Sequence, residues 1–332
     1  MGGNACKNLG VKRKGRKEYE SISFDVLQKL KTLPFFSNVF IPKELKSKLS
    51  FGDCDVVASF NPNSKVSTNE VKEKIIELFS PSKIIHNGGV FSFPYCEFQI
   101  DLITCSHENF DTFYHFYSYN DLSMIIGRLS RIYDLKYGIY GLELPIRDEN
   151  TNHIIDKLHI SKNIPKIYAL LGLDYSLFEK GFNHANDIMK FILSSDLICE
   201  QFLSSHSENT KKRKRDKNRD IFSYIYKQIQ YKNLPKYPKR NIPSNKIAYL
   251  DEFFPEENIL KRYNELMQKK KQQEIASNKM NGKICIEKFG DELGKRYISA
   301  FQKSFSNRDE RISYVLSHST EECIQRAIDH SQ

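Results

Sequence analysis

Two aspartates one residue apart, Asp53 and Asp55, have the type and spacing that most clearly predict chemistry in this sequence. They follow Gly52 and precede the β-branched pair Val56-Val57, a pattern that favours the start of a β-strand. Positions i and i+2 of a strand point to the same face, so the two carboxylates would lie side by side. Adjacent carboxylates repel each other unless a cation sits between them, and Mg²⁺ prefers oxygen ligands of this kind.

A third acidic residue, Asp101, lies in the apolar alternation of residues 97–103, which predicts a second strand. Three carboxylates on two neighbouring strands would form a two-metal site for in-line phosphoryl transfer, with Mg²⁺ or Mn²⁺ as the two ions. The competing interpretations are a turn or N-cap pair for Asp53 and Asp55, and a buried salt bridge for Asp101 taken alone.

The apolar periodicity predicts the elements that would position these acids. A helix over 16–32, strands over 35–41 and 52–60, and a helix from Ser67 or Thr68 to Phe79 are followed by strands over 83–86, 90–93 and 97–105. The β-α-β-β-β order predicts a small mixed sheet with helices on one side, and hence an α+β fold class.

Downstream, the sequence predicts two short helices over 109–134, a β-hairpin of residues 136–144 and 153–160, and a helix over 163–172. From about residue 181 onward only helices are predicted, over 184–204, 219–231, 255–277, 283–305 and 307–329. A polar, proline-containing stretch at 232–246 predicts a linker or a surface loop.

The charge balance indicates an anionic partner, because the 332 residues carry a formal net charge of +10. Nucleic acid is the first candidate, since Lys and Arg gain affinity by displacing phosphate counterions. A solvated basic surface is the competing interpretation. No run is long and apolar enough to span a membrane and no secretory hydrophobic region is recognisable, so no membrane partner is expected.

The seven cysteines are dispersed and form no C-x-x-C pair, which argues against a structural zinc site. An odd, dispersed set is typical of a reducing compartment. The sequence therefore predicts an intracellular location, cytoplasmic or nuclear.

Taken together, the motifs over about residues 37–180 resemble the palm and thumb of the family X DNA polymerases, the group of DNA polymerase beta. The resemblance is especially to the small viral polymerases of that family, which lack the extra amino-terminal domains, so a virus-encoded protein is one expectation. Five motifs occur in the family's order: Gly52-Asp53-Cys54-Asp55; Gln99-Ile100-Asp101-Leu102; His115-Phe116-Tyr117-Ser118; Tyr137-Gly138-Ile139-Tyr140-Gly141-Leu142, which follows Arg128; and Ile167-Tyr168-Ala169-Leu170-Leu171-Gly172-Leu173, which precedes Tyr175.

The resemblance implies a role for individual residues. Asp53 and Asp55 would hold both metal ions, and Asp101 would hold the catalytic ion and help deprotonate an attacking 3′ hydroxyl. Phe116 and Tyr117 resemble the aromatic pair that packs under the incoming sugar, with packing in the core as the alternative. The other implied contacts are to the nucleotide, through Gly52, Ser118 and Asp121, and to the template minor groove, through Arg128. An ordinary amphipathic helix surface is the alternative for Asp121 and Arg128.

The sequence departs from the family upstream of the aspartates, where the Gly-Ser that clasps the triphosphate is missing. Lys43, Lys46 and Lys48 are candidates for the positive charge, because lysine can bind phosphate as a point charge. A solvated, lysine-rich helix is the alternative. A second departure replaces the family's Thr-Gly by Ser118-Tyr119-Asn120, which is about one residue longer.

A basic run lies before the helix predicted over 219–231, which carries several aromatic residues. Clustered cations near aromatic rings suit a nucleic-acid backbone and its bases. A nuclear-import signal and a solvated loop are the alternatives. The candidate nucleic-acid-binding residues of this run are Lys211, Lys212, Arg213, Lys214, Arg215 and Arg219.

The predicted organisation has four parts: an N-terminal basic segment and helix (1–36), a nucleotidyltransferase palm (37–108 and 109–134), a thumb-like subdomain (135–182), and an α-helical C-terminal domain (183–332) that contains the basic segment 211–219. The predicted function is a metal-dependent nucleotidyltransferase that uses nucleoside triphosphates, with DNA preferred over RNA as the acceptor because the thumb motif resembles that of DNA polymerases. The alternatives are a template-independent RNA or tRNA nucleotidyltransferase, and a catalytically inactive nucleic-acid-binding module with the same fold.

Overall fold

The amino-terminal region alternates strands with two helices, in the order that the periodicity predicts. The structure, a computed structural model, describes residues 5–148, 151–200, 202, 220–230 and 233–331. Its first elements are β1 (Lys14–Gly15), α1 (Arg16–Lys31), β2 (Phe36–Phe40), β3 (Ser50–Phe51), β4 (Asp53–Phe60), α2 (Thr68–Phe79), β5 (Ile85–Asn87), β6 (Val90–Tyr95) and β7 (Phe98–Cys105). The predicted elements are confirmed here to within about two residues, and the two-residue strands β1 and β3 are additional.

A five-stranded mixed sheet places the three acidic residues on its two central strands. The strand order is β2-β4-β7-β6-β5, in which β4 and β7 are parallel and the other neighbours are antiparallel. Every residue of β7 is buried, as expected for a strand that is paired on both sides and covered on both faces. The parallel register sets Asp55 opposite Asp101.

The sheet is covered on both faces, whereas the sequence predicts helices on one side. On one face α1 and α2 pack against alternate residues of the central strands, such as Val56 and Ile100. On the other face Val57 and Ile103 pack against Phe113, which lies on α3 (Phe110–Tyr117). The chain-order pattern missed this second layer because α3 follows the sheet in sequence and folds back over it.

The chemistry of the helix ends accounts for part of the agreement between prediction and structure. Ser67 caps α2, because its hydroxyl accepts from the backbone N–H of Glu70 while the Glu70 carboxylate accepts from the backbone N–H of Ser67. The predicted start of this helix is therefore confirmed at Ser67 and Thr68.

A second, three-stranded sheet follows the helix α4 (Leu122–Leu129), with β8 (Lys136–Gly138), β9 (Gly141–Arg147) and β10 (Ile154–Ser161) in the order β10-β9-β8. The sequence predicts a hairpin whose first strand spans residues 136–144. This prediction is wrong, because the chain turns between Gly138 and Gly141 and forms two strands there. Gly141 has φ +87°, and a Cβ there would lie 2.3 Å from the backbone oxygen of Ser161. Only glycine fits this position without strain.

The remaining helices of the first part are shorter than predicted or unpredicted. They are α5 (Ile164–Leu170), α6 (Tyr175–Lys180), α7 (Ala185–Leu193), α8 (Asp220–Gln230) and α9 (Lys246–Phe253). The helix predicted over 184–204 ends at Leu193, and α9 replaces part of the stretch predicted as a linker or loop. The basic segment 211–219 lies outside the described residues.

The chain divides into two units, one ending at Glu257 and the other beginning at Asn258. This boundary differs from the predicted start of a helical domain at residue 183. Residues after 183 belong to the first unit because polar contacts tie them to it. Arg240, for example, forms an ion pair with Asp196 and donates to the backbone oxygen of Leu170 at 2.6 Å.

The second unit is helical, with α10 (Ile259–Lys279), α11 (Gly282–Phe289), α12 (Asp291–Lys303), α13 (Arg308–Ser317) and α14 (Thr320–Asp329). Each of the two long helices predicted after residue 280 is broken into a pair. The first break is at Gly290, whose φ of +81° ends α11. The second is at Ser319, whose side chain caps α14.

No helix among the described residues combines the length and the apolar character that crossing a membrane requires.

Close contact between α11 and α12 depends on Gly294, because a Cβ there would lie 2.6 Å from the backbone N and Cα of Ile286. We expect Gly294→Ala to destabilise the second unit by about 1–3 kcal/mol through overpacking. Gly282→Ala is the matched control, since its Cβ would have no contact closer than 4.0 Å. Hydrogen exchange of α11 and α12 in the full chain measures both changes, and equal protection in the two variants would contradict the packing argument.

Candidate metal centre

The site is a cluster of three carboxylates, Asp53, Asp55 and Asp101. One ligand oxygen from each lies within 4.8 Å of the others. Asp53 and Asp55 are two residues apart on β4 and share a face, and the parallel register brings Asp101 of β7 level with Asp55. The parallel pairing of β4 with β7 therefore brings together the three carboxylates that the sequence predicts on neighbouring strands.

Asp101 is held by a buried amide from its own strand. The side-chain nitrogen of Gln99 donates to both carboxylate oxygens of Asp101 at 2.9 Å, and the Ser92 hydroxyl on β6 is also hydrogen-bonded to it. The Gln99 side-chain oxygen accepts from the backbone N–H of Cys6 at 2.9 Å. These supporting residues fix the carboxylate, and no sequence pattern marks them for this role because they contact it only in the folded sheet.

Burial and neighbouring charges raise the pKa of two of the three acids, Asp55 and Asp101. Burial is the main cause that raises the pKa of Asp55 well above its usual range, and the charges of Asp53 and Asp101 raise it further. The pKa of Asp101 is raised chiefly by burial, against the lowering effect of its hydrogen bonds from Ser92 and Gln99. A cation between the carboxylates would favour their charged forms and so oppose this upward shift.

The residues present fit a divalent cation. Among the described residues no Lys or Arg nitrogen lies within ion-pair distance of Asp53, Asp55 or Asp101, and one buried carboxylate oxygen of Asp53 has no hydrogen-bond partner. A buried acceptor without a donor is costly, and a metal ion would satisfy it. All three side chains offer the hard oxygen ligands that Mg²⁺ and Mn²⁺ take.

A fourth acid, Glu44, lies near the cluster and was missed in the sequence. Burial raises its pKa, with a further contribution from Asp53, while Lys48 lowers it. Its carboxylate forms an ion pair with Lys48 at 2.5 Å and accepts from the Asn120 amide at 3.3 Å. Glu44 is therefore engaged in holding the loop that precedes β4.

Of the three lysines predicted to bind a triphosphate, Lys43 and Lys48 have other side-chain partners. The Lys43 ammonium donates to the backbone oxygens of Phe178 and Glu179 at the end of α6, at 3.3 and 3.0 Å. Lys48 pairs with Glu44, as described above. For Lys46 the described contact is from its backbone N–H to the oxygen of Phe182 at 3.3 Å. The structure thus brings this loop against residues 178–183.

Both rings of the aromatic pair are partly buried, and that of Tyr117 packs against the cluster of Val57, Ile103 and Phe113. Burial raises the pKa of Tyr117 to about 12, with added effects of Asp55 and Asp101, so its phenol lies within electrostatic range of both acids. The Phe116 ring is 5.5 Å from that of Tyr117 and 6.3 Å from that of Tyr137. Gly52 lies between β3 and β4, directly before Asp53.

Ser118, Asp121 and Arg128 are buried. The Ser118 hydroxyl donates to the backbone oxygen of Tyr114 at 2.7 Å and accepts from the backbone N–H of Lys43 at 3.1 Å, so it supports the loop before β4. Asp121 precedes α4 and is 8% exposed, and Arg128 on α4 is 2% exposed. The structure therefore places neither of these two charged residues on the surface.

The six cations predicted at Lys211, Lys212, Arg213, Lys214, Arg215 and Arg219 all lie outside the described residues. Their predicted contact with nucleic acid remains a prediction.

Tyr175, which begins α6, contacts the helix that covers the acid site. Its hydroxyl is 3.2 Å from Nε2 of His115 on α3. Nδ1 of that ring is 2.7 Å from the backbone oxygen of Asp111, which can only accept, so Nδ1 carries a proton. Burial lowers the pKa of His115 and so favours the neutral ring, in which Nε2 accepts from the Tyr175 hydroxyl. The buried ring is thus held in its neutral form.

Comparison with known proteins gives structural matches only. No family model and no curated protein matches the chain. The chain is similar to two solved structures of Leishmania infantum polymerase beta, a ternary P/T complex and a ternary gap complex, each at 12% identity and a TM-score of 0.38. The matches cover 49% of this chain and 74% and 69% of those chains. At this TM-score the likeness does not decide the activity, so function is inferred from the acidic site.

Because ionised Asp55 is repelled by its neighbours, removing its charge stabilises the metal-free fold at pH above its raised pKa. We expect Asp55→Asn to raise the melting temperature in EDTA by about 2–4 °C, the shift that about 1 kcal/mol produces in a unit of this size. The same variant should lose the melting-temperature increase that Mn²⁺ gives the unmodified chain. Glu73→Gln, an exposed carboxylate on α2, is the control. A variant indistinguishable from that control in both measurements would count against the metal site.

His115 makes the stability of the first unit depend on pH. Burial is the main cause that lowers its pKa, so the folded state binds fewer protons than the unfolded state below pH of about 6.5. Stability is therefore fully present above that pH and is lost as the pH falls, by at most about 1.4 kcal/mol at pH of about 5.5. We expect His115→Gln to flatten this part of the pH profile of the melting temperature, and an unchanged slope would contradict the assignment.

Proposed function

We propose that this chain is a metal-dependent nucleotidyltransferase of the family X type, which adds nucleotides to a 3′ hydroxyl with release of pyrophosphate. The observation that carries the proposal is the triad of Asp53, Asp55 and Asp101, with ligand oxygens within 4.8 Å of one another and no described cation beside them. An unneutralised cluster of this kind destabilises the fold. Binding of divalent ions gives a physical reason why the three acids lie together.

The chemistry assigned to the site is an in-line displacement. The 3′ oxygen would form a bond to the α-phosphorus, the bond from that phosphorus to pyrophosphate would break, and the hydroxyl proton would leave. Two divalent ions, when bound, supply stabilisation of charge on the attacking and leaving oxygens. In this proposal Asp53 and Asp55 hold both ions, and Asp101, fixed by Gln99, holds one ion and helps to draw off the hydroxyl proton.

DNA is the proposed acceptor, on the resemblance of the thumb motif to DNA polymerases and on the net charge of +10. One observation favours a second candidate, an inactive nucleic-acid-binding module. Lys43 and Lys48, which would replace the missing triphosphate clasp, are bound to backbone oxygens and to Glu44. An active enzyme must take its triphosphate-binding charge from other groups or release these lysines.

A third candidate function is a template-independent RNA or tRNA nucleotidyltransferase. It is retained because the segment Ser118-Tyr119-Asn120 departs from the family's Thr-Gly. Ser118 and Tyr119 are buried, and the Tyr119 hydroxyl accepts from the backbone N–H of Phe182 at 3.3 Å. These contacts show that the segment packs against the loop before β4. They do not by themselves indicate a contact with a sugar.

The test is incubation of the full chain with Mg²⁺ or Mn²⁺, labelled dNTPs or NTPs, and primed DNA or RNA. We expect extension of the DNA primer by the unmodified chain and a loss of at least about 100-fold with Asp101→Ala, because removing a ligand of the reacting centre removes several kcal/mol of transition-state stabilisation. Glu73→Gln serves as the matched acidic control.

Selectivity separates the candidates. Preference for template-matched dNTPs identifies a polymerase, and untemplated addition of NTPs identifies a tailing enzyme. Absence of extension on every primer, with Asp101→Ala indistinguishable from the unmodified chain, would leave the inactive module as the function.

A further inference from the structure

A basic segment at the beginning of the described chain passes beside the acidic triad. We call residues 5–15 the amino-terminal strap. It carries Lys7, Lys12, Arg13 and Lys14 and no acidic residue. Cys6 is the single buried side chain of the strap, so burial of apolar surface contributes little to its position. Directional hydrogen bonds hold it in place instead.

One end of the strap is tied to the strand of Asp101. The backbone N–H of Cys6 donates to Gln99, whose side-chain nitrogen donates in turn to both oxygens of Asp101, each bond at 2.9 Å. The backbone N–H of Lys12 donates to the oxygen of Glu97 at 2.7 Å. Lys7 directly follows Cys6, whose backbone is connected to Asp101 through the side chain of Gln99.

The other end of the strap is tied to the residues that precede Asp53. The Arg13 guanidinium donates to the hydroxyl and the backbone oxygen of Ser50, both at 3.0 Å. Strands β1 and β3 then pair, with Lys14 opposite Phe51. The strap thus contacts β7, which carries Asp101, and β3, which directly precedes the strand of Asp53 and Asp55.

The cations of the strap differ in how far they are neutralised. Lys14 pairs with Glu18 at 3.5 Å and is largely covered, and Lys12 pairs with Glu97 at 2.9 Å with both side chains exposed. An exposed pair of this kind contributes little and exchanges readily for another anion. Within the described residues no carboxylate lies at ion-pair distance from Lys7 or Arg13, and both are exposed.

The position of these charges matters because the cluster beside them is negative. A strand whose 3′ end reaches the triad must bring its phosphates past three carboxylates, which repel them. Lys43 and Lys48 are engaged by backbone oxygens and by Glu44, so they do not offset this repulsion in the structure. The strap supplies exposed positive charge at the border of the site, where such a strand would run.

We propose that the amino-terminal strap binds the phosphodiester backbone of the acceptor nucleic-acid strand, through Lys7, Lys12 and Arg13. The identity of that strand as the acceptor rests on the proposed function, whereas the binding of its phosphates does not. Contacts of this kind are independent of sequence and of the base, so DNA and RNA strands would both bind.

The test is a titration of the full chain with a short, fluorescently labelled single strand of DNA, and separately of RNA, in EDTA so that no turnover occurs. The variant is Lys7→Gln with Lys12→Gln, which removes two exposed charges and leaves the hydrogen bonds of Cys6 and Arg13 in place. The matched control is Lys65→Gln with Lys83→Gln, two exposed lysines in the loops at either end of α2. Melting temperatures of both variants verify folding.

We expect the strap variant to bind the strand more weakly than the control, with a slope of log affinity against log salt that is shallower by about 1.4, because each contact to a single strand contributes about 0.7. Equal affinity and slope in the two variants would overturn the proposal. A raised KM for the nucleoside triphosphate in the strap variant, with unchanged affinity for the strand, would also overturn the proposal. That result would show that the lysines bind the triphosphate.

The two proposals fail separately. A chain that extends no primer but loses strand affinity in the strap variant contradicts the nucleotidyltransferase function and supports the strap as a nucleic-acid site. A chain that extends primers while its strap variant binds like the control supports the function and contradicts the strap.

Discussion

The parallel pairing of β4 with β7 is the constraint on which the site depends. It sets Asp55 level with Asp101, and the alternation along β4 keeps Asp53 on the same face. A slip of one residue would turn the acids into the layer that packs on α1 and α2. The register is fixed because Val56 and Ile100 on one face, and Val57 and Ile103 on the other, are buried against different helices.

That register brings three carboxylates together, and no described cation neutralises their charge. Three carboxylates converge, of which Asp101 is buried and Asp53 and Asp55 are partly buried. Hydrogen bonds from Gln99 and Ser92 reach Asp101, and no described Lys or Arg lies within ion-pair distance of the cluster. The nearby basic groups are directed elsewhere. Lys43 joins the loop before β4 to the end of α6, and Lys48 neutralises Glu44. Within the part of the chain that the structure describes, the acids have no lysine or arginine partner, which is expected of a site that binds cations.

Sequence periodicity predicts the amino-terminal half well because its signals are local. The capping box at Ser67 and Glu70 and the buried run of β7 are both readable from neighbouring residues. The breaks at Gly141 and Gly290 escaped prediction, since a glycine within a periodic pattern gives no sign of whether the chain turns there. The start of the second unit at Asn258 also escaped, because the contacts of Arg240 that retain residues 183–257 in the first unit join distant positions.

The sequence by itself determined which residues form the site: two aspartates at strand spacing and a third in an apolar strand, whose chemistry indicates metal ions. The tertiary structure decided how that site is supported and what surrounds it. Gln99 and Cys6 hold Asp101, Glu44 lies near the acidic group, Arg128 is buried, and the strap contacts β7 and the residues that precede β4. Strand spacing is a property of the local backbone, whereas these contacts connect residues far apart in the chain, and only the packed sheet brings them together.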